Sequence, residues 1–222
     1  MSLELIYFKA CPFAQRVLVA LEQLELGFQK TLINPMDKPA WMFEVTPMGQ
    51  IPLLRVGGHT VLFDSSVICE FLNDVSSSTL LPENPLARGQ YRGLVEFAGE
   101  CQMNFGGLIA APDEEKFRKA QGGLLKKLNW LEGLVDENGP LFAGAGFSMV
   151  DAAFAPLFLR MQHLQKVVSF YKEQDLPRIS RWSGAVLAEK SVEKSVDGDF
   201  SMIFKNVVQG RGKGGFVHQH MQ

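Results

Sequence analysis

A short stretch without periodicity, residues 76–85, separates two parts of the chain that have opposite character. The stretch reads SSSTLLPENP, a serine- and proline-rich composition that is typical of linkers. Strand patterns are confined to the residues before it, and helical patterns dominate after it. We therefore predict a small α/β domain over residues 1–75, a linker over 76–85 and an all-helical domain over 86–210. The glycine-rich, basic residues 211–222 are expected to form a mobile tail.

The first part alternates short apolar runs with amphipathic ones. LELIYF predicts a buried strand, and the helix that follows opens at Pro12 and is expected to end at Gly27. A strand–helix–strand unit of this length favours parallel pairing. Gly57 and Gly58 separate two short apolar runs and predict a hairpin. The predicted order is βαβ-α-ββα, with strands near 3–8, 27–33 and on both sides of the hairpin turn, and helices near 12–26, 41–45 and 64–75.

The second part carries helical periodicity with almost no strand pattern. Ser148 and Asp151 stand three residues apart before an apolar run, a spacing that predicts a reciprocal capping box. We interpret this pair as structural. The predicted helices cover residues 86–105, 114–135, 149–165, 176–190 and 200–208.

Composition and charge exclude several classes of function. The net charge of −2 gives no overall attraction to nucleic acid or anionic membranes. No apolar stretch approaches the length of a membrane span, and the N-terminus lacks the pattern of a signal peptide. Three cysteines in a chain of this size fit a reducing compartment, so we expect a cytoplasmic protein. His218 and His220 lack further ligands nearby, and no metal site is predicted.

The segment YFKACPFAQRV places Cys11 between the first strand and the first helix. A helix N-terminus presents free N–H groups and positive potential, which stabilise a thiolate. Arg16 either adds positive charge there or faces solvent. A dithiol site would carry a second cysteine at position 14, where this chain has Ala14. An external thiol must therefore regenerate Cys11 after it forms a disulfide, and glutathione is the abundant cytosolic candidate.

Three motifs together resemble the cytosolic glutathione transferases, and most closely their cysteine-type, omega-like classes. They are CPFAQR, NPMDKPAWMFEVTPMGQIPLL and LFDSSVI, and the two-part layout extends the resemblance over nearly the whole chain. The resemblance implies a thioredoxin-like N-terminal domain, an all-helical C-terminal domain, glutathione as co-substrate and a homodimer.

The resemblance also implies roles for individual residues in holding glutathione. Lys38 would pair with its glycyl carboxylate, and Ile51, next to a cis Pro52, would bond its cysteinyl backbone. Asp64 and Ser65 would hold the γ-glutamyl end, the first its ammonium group and the second its carboxylate. This last role also suits a residue that opens a helix, because helix N-termini bind anions.

Cys11 would form the mixed disulfide with glutathione. Phe13, beside it, is expected to touch glutathione and to line the electrophile pocket. Phe105, on the first long helix of the second domain, is the other candidate for a wall of that pocket.

We expect a glutathione-dependent thiol transferase that reduces mixed disulfides, dehydroascorbate or glutathionyl-ketones through Cys11. One alternative is a conjugating transferase with another electrophile. The other is a non-enzymatic binding or regulatory protein that shares the transferase fold.

Overall fold

The computed structural model describes residues 1–221, and its N-terminal part is built on one mixed sheet of four strands in the order β2-β1-β3-β4. Three helices complete this part. The elements are β1 (Leu3–Tyr7), α1 (Pro12–Gln23), β2 (Gln29–Leu32), α2 (Trp41–Val45), β3 (Leu53–Val56), β4 (Thr60–Phe63) and α3 (Ser65–Val75). The predicted βαβ-α-ββα order is confirmed.

Local sequence explains the pairing of these strands. β1 and β2 are joined by a helix and run parallel, as predicted. β3 and β4 pair antiparallel in register Val56 to Thr60, and the turn between them holds Gly57 and Gly58 at φ of 61° and 84°. Both angles lie in the left-handed region, which glycine enters without steric cost. The predicted hairpin is therefore confirmed.

The end of α1 differs from the prediction, because the helix stops at Gln23 rather than running to Gly27. Glu25 takes a left-handed conformation with φ of 54°, and the Leu26 N–H donates to the Leu21 carbonyl at 3.0 Å. This is the hydrogen-bond pattern of a Schellman cap. The sequence hid it, because a glutamate occupies the position where glycine is usual.

Helices make up almost all of the regular structure in the rest of the described chain. Residues 173–175 form a single 3₁₀ turn. No helix within residues 1–221 is both long and apolar enough to span a membrane. The helices are α4 (Pro85–Ile109), α5 (Glu114–Glu132), α6 (Met149–Gln165), α7 (Pro177–Leu187), α8 (Lys190–Lys194), α9 (Phe200–Arg211) and α10 (Phe216–Gln219).

The predicted capping box at the start of α6 is confirmed. The Ser148 N–H donates to the Asp151 carboxylate at 2.8 Å, and the Asp151 N–H donates back to the Ser148 hydroxyl. Asp151 is fully buried and also accepts from the Phe142 N–H and the Trp182 indole N–H. One carboxylate therefore joins α6 to α7 and to the loop before α6.

Helix α1 lies between the two parts of the molecule. It contacts α3 in the N-terminal part and α6 and α8 in the helical part, and residues 14–21 are all buried. A second link joins the sheet to the loop after α8: the Tyr7 hydroxyl donates to Asp197, which also pairs with Lys30 at 3.0 Å. The position of the α1 N-terminus is therefore set by contacts with both parts.

The expected mobile tail is not what the structure has over residues 211–221, and Gln222 lies outside the described residues. Phe216 and Val217 are buried, and the Phe216 N–H donates to the Ala111 carbonyl at 3.0 Å. A Cβ added at Gly212 would stand 2.3 Å from the Ile109 carbonyl oxygen. The glycines here permit close backbone packing at the end of α4, whereas the sequence pattern suggested flexibility.

This close packing predicts a sharp difference between two neighbouring glycines. Gly212→Ala is expected to lower the free energy of unfolding by about 1 to 3 kcal/mol, because the new methyl group overlaps a backbone oxygen. Gly210→Ala is the matched control, because a Cβ at Gly210 meets no atom within 4 Å. Urea unfolding measures both. Equal stability of the two variants would contradict the packing described here.

Candidate active site

Cys11 is the N-cap residue of α1, where the chain leaves β1 and enters the helix. Its backbone is extended, with φ of −76° and ψ of 116°, and Pro12 occupies the first helical position. Proline is well suited there, because that position needs no N–H donor. The side chain is partly exposed, and its Sγ lies 3.9 Å from the Ile51 carbonyl oxygen.

Two opposing effects act on the ionisation of Cys11. Burial raises the pKa of the thiol, while the backbone N–H groups of Ala14 and Phe13 and the charges of Arg160 and Arg16 lower it. Burial prevails, so the pKa lies above its ordinary value. The predicted helix N-terminus is thus present, and two guanidinium groups add to its effect on a thiolate.

The loop that faces Cys11 contains the one cis peptide bond found within residues 1–221, between Ile51 and Pro52. This confirms the predicted cis proline. Pro52 is buried and Ile51 is half-buried, directly before β3. The structure therefore brings Ile51 to Cys11 across a gap of 40 residues in sequence.

Asp64 and Ser65 form the start of α3. Asp64 is an exposed N-cap whose carboxylate accepts from the Ser66 N–H at 2.9 Å and from the Ser66 hydroxyl at 2.8 Å. Burial opposes its ionisation, but these bonds and the charge of Arg16 hold the pKa of Asp64 below its ordinary value. Ser65 is buried, and its hydroxyl accepts from Arg16 Nε at 3.0 Å. This helix N-terminus therefore carries both a carboxylate and a cation.

Phe13 lies close to Cys11, whereas Lys38 has no bond to the other predicted site residues within residues 1–221. Phe13 is half-buried next to Cys11, and the Arg16 guanidinium lies 5.2 Å from its ring centroid. Lys38 is half-buried in the loop before α2. Within residues 1–221, Lys38 makes no hydrogen bond or ion pair that ties it to Cys11, Ile51 or Ser65.

Phe105 does not join the site as the sequence suggested. Its side chain is fully buried in the hydrophobic core, and its ring centroid lies 6.5 Å from that of Phe204. With no exposed surface, the ring has no face to offer a ligand. The helical spacing that made Phe105 a candidate for a pocket wall reflects its place in the core.

Sequence reasoning missed Arg160 and left the role of Arg16 open. Arg16 does not face solvent: it is buried, bonds Ser65 and donates to the Val95 carbonyl at 3.3 Å. Arg160 is buried and donates to the Ala10 carbonyl at 3.0 Å. The signal for Arg160 was a charged residue directly after the apolar run of residues 152–159 in α6. In residues 1–221, no group of three histidine, cysteine or acidic side chains could hold a metal ion.

These features define a thioredoxin-like domain with a cysteine at a helix N-terminus, packed on a helical domain. The glutathione S-transferase N-terminal domain matches residues 10–75, and the glutathione S-transferase C-terminal domain matches residues 109–185. The two regions together span more than half of the chain. The chain belongs to the glutathione S-transferase family, as its motifs predicted.

Individual relatives narrow the resemblance. The chain is 29% identical to "Glutathione S-transferase DHAR2" of Arabidopsis thaliana over 191 residues, and this alignment covers 83% of each chain. It is 26% identical over 184 residues to "Glutathione S-transferase omega-1" of Sus scrofa, covering 82% of this chain and 75% of that protein. The crystal structure of glutathione transferase Omega 3C from Trametes versicolor superposes with a TM-score of 0.80 at 27% identity, covering 90% and 91% of the two chains. The predicted omega-like resemblance is confirmed.

The three cysteines are expected to differ in reactivity. Cys11 is partly exposed, whereas Cys69 and Cys101 are buried and burial raises the pKa of each to about 12. Iodoacetamide should therefore modify Cys11 first in the folded protein, and the rate should rise with pH because the thiolate is the nucleophile. Peptide mass spectrometry after timed labelling measures the order. Earlier modification of Cys69 or Cys101 would contradict it.

Proposed function

We propose that this protein is a glutathione-dependent thiol transferase in which Cys11 forms a mixed disulfide with glutathione. The observation that carries the proposal is a single thiol at the N-terminus of α1, with buried Ala14 where a dithiol site would have its second cysteine. Cys69 is buried in α3 and Cys101 in α4, so neither is presented beside Cys11 as a resolving thiol.

The reaction runs in two displacement steps. In the first, the Cys11 thiolate attacks the glutathione sulfur of a mixed disulfide G–S–S–R; the Cys11–S–S–G bond forms, and R–S⁻ leaves and takes up a proton. In the second, a glutathione thiolate attacks the sulfur of the bound glutathione, releasing oxidised glutathione and the Cys11 thiolate. Two glutathione-derived groups leave as one disulfide, and the protein returns to its starting state.

The site offers complementary groups for a zwitterionic tripeptide. We assign the glycyl carboxylate to Lys38 and the cysteinyl backbone to Ile51, beside Pro52. The γ-glutamyl ammonium is assigned to Asp64, and its carboxylate to Ser65 at the N-terminus of α3. Support comes from the hydrogen bonds of Asp64 and Ser65 and from the proximity of Ile51 to Cys11.

Phe13 is assigned to the boundary between glutathione and the electrophile, since it follows Cys11 by two residues and is half-buried. Dehydroascorbate and glutathionyl-ketones are further substrates that this thiol chemistry suits. Conjugation of aromatic halides is expected to be weak, because a cysteine at this place tends to bond glutathione covalently where a hydroxyl would only activate it.

We also propose a cytoplasmic homodimer with domains at residues 1–75 and 86–210. Large apolar side chains on β4, α3 and α4 are exposed in the single chain, a feature of surfaces that a partner covers. They are Phe63, Val67, Leu86 and Met103. Light scattering is expected to give twice the mass of one chain, and the mass of a single chain would contradict the dimer.

Replacement of the thiol tests the mechanism. Cys11→Ala is expected to abolish turnover of a glutathione mixed disulfide, because no other thiol stands at the helix N-terminus. Intact-mass spectrometry should show an added glutathione on the wild-type protein after incubation with oxidised glutathione, and no adduct on the variant.

Cys101→Ala is the matched control, because it removes a buried thiol outside the site. Its turnover and adduct should match those of the wild-type protein. Unchanged turnover of Cys11→Ala would overturn the thiol-transfer mechanism and would favour the conjugating alternative.

A further inference from the structure

Arg160 is a buried cation without an ion-pair partner among residues 1–221. Its exposed fraction is 5%, and it lies on α6, the helix that packs most directly on α1. Nη1 donates to Gln15 Oε1 at 2.7 Å and to the Pro156 carbonyl at 2.8 Å, and Nη2 donates to the Ala10 carbonyl at 3.0 Å. All three acceptors are neutral. No carboxylate within residues 1–221 forms an ion pair or hydrogen bond with this guanidinium.

Three ionisable side chains, Cys11, His163 and Arg211, interact with the charge of Arg160, and its guanidinium carbon lies 5.1 Å from the centroid of the Phe200 ring. Burial lowers the pKa of Arg160 to about 10, Cys11 raises it and the positive charge of Arg211 lowers it. The guanidinium therefore remains charged at neutral pH. Arg16, whose charge also lowers the pKa of Cys11, is buried as well, and its hydrogen bonds within residues 1–221 go to neutral acceptors, the Ser65 hydroxyl and the Val95 carbonyl.

A buried charge without a partner is costly, and the cost falls when an opposite charge forms nearby. The Cys11 thiolate is the anion that can form here. Two hydrogen bonds connect Arg160 to the surroundings of Cys11. One goes to the carbonyl of Ala10, which directly precedes Cys11, and the other goes to Gln15, one turn into α1. The Gln15 amide in turn donates to the Ser195 hydroxyl at 3.2 Å, after α8.

We propose that Arg160 is a positioning residue for Cys11: from the helical domain it holds the loop before the cysteine and places a fixed counter-charge beside the thiolate. This inference deepens the proposed function. It rests on that function and adds a role for the helical domain, which is to position Cys11 and stabilise its thiolate. This role is separate from the binding of an electrophile.

The fixed charge affects the two states of the cycle unequally. It stabilises the thiolate, whereas the Cys11–S–S–G disulfide is neutral at the cysteine sulfur and gains less from it. When a second glutathione thiolate attacks the bound glutathione sulfur, the S–S bond breaks and its electron pair goes to Cys11 Sγ. A stabilised thiolate leaves faster, so Arg160 favours the step that regenerates the enzyme.

A purely structural role for Arg160 would give a different result. An arginine that only ties α6 to the β1–α1 loop would change the stability of the protein without changing the titration of Cys11. The pH profile of Cys11 alkylation in the free enzyme therefore separates the two roles.

The test compares Arg160→Met, Arg160→Lys and the wild-type protein, using iodoacetamide and peptide mass spectrometry to follow Cys11 alone. Arg160→Met is expected to raise the pKa of Cys11 alkylation by about one unit and to slow alkylation at neutral pH about tenfold. Arg160→Lys should give a smaller rise, because the ammonium retains charge but cannot match the planar set of bonds. Reduction of the preformed Cys11–glutathione disulfide by glutathione should slow in the same order.

Lys166→Met is the matched control, since Lys166 is an exposed cation on the end of the same helix. Its alkylation profile should equal that of the wild-type protein. An unchanged profile in Arg160→Met overturns the proposal, even if that variant is less stable. If Arg160→Met does not fold, the lysine variant decides: a raised pKa supports the proposal and an unchanged one overturns it.

Failure of the proposed function would be recognised separately. Alkylation needs no glutathione, so the effect of Arg160 on Cys11 is measured whether or not a mixed disulfide forms. If the wild-type protein forms no glutathione adduct, the thiol-transfer function is contradicted. If Arg160→Met nevertheless raises the alkylation pKa, the effect of Arg160 on the thiolate is still supported.

Discussion

The burial of helix α1 between the two halves of the molecule is the constraint on which the site depends. Residues 14–21 are all buried, and the helix contacts α3 in one half and α6 and α8 in the other half. A helix enclosed in this way cannot shift along its axis without disturbing both halves. Its N-terminus, and with it Cys11, is therefore fixed by packing that lies well away from the thiol. The chemistry of the thioredoxin-like part thus depends on the helical part for its geometry.

Polar residues on this same interface set the electrostatics. Interiors usually hold charges in pairs, yet Arg16 and Arg160 are both buried, and the hydrogen bonds that they make within residues 1–221 go to neutral groups. The charge of Arg16 lowers the pKa of both Cys11 and Asp64, and the charge of Arg160 lowers the pKa of Cys11. Burial works against ionisation of the thiol, so a thiolate in this place needs these cations more than an exposed cysteine would.

The sequence predicted what local patterns control. Short apolar runs, helical periodicity, the glycine pair of the hairpin and the Ser148–Asp151 spacing all act over a few residues, and the element order, the hairpin and the capping box that they predict were confirmed. Errors arose where a distant contact decides. Gly212 packs against the Ile109 carbonyl, and no pattern in the tail shows that contact. Phe105 and Arg160 lie at helical positions whose surroundings come from other helices, so one was assigned to a pocket and the other was overlooked.

Ala14 shows how a one-cysteine site departs from a dithiol site at the level of single atoms. Its side chain is buried against the core and offers no nucleophile, but its backbone N–H lowers the pKa of Cys11. Position 14 thus contributes to stabilising the thiolate without being able to attack a disulfide formed there. In a dithiol site, a second cysteine of the protein attacks the mixed disulfide and releases the bound thiol. Here the attacking sulfur must come from a thiol in solution. The protein can influence that step through the leaving group, and the fixed charges around Cys11 act on the leaving group.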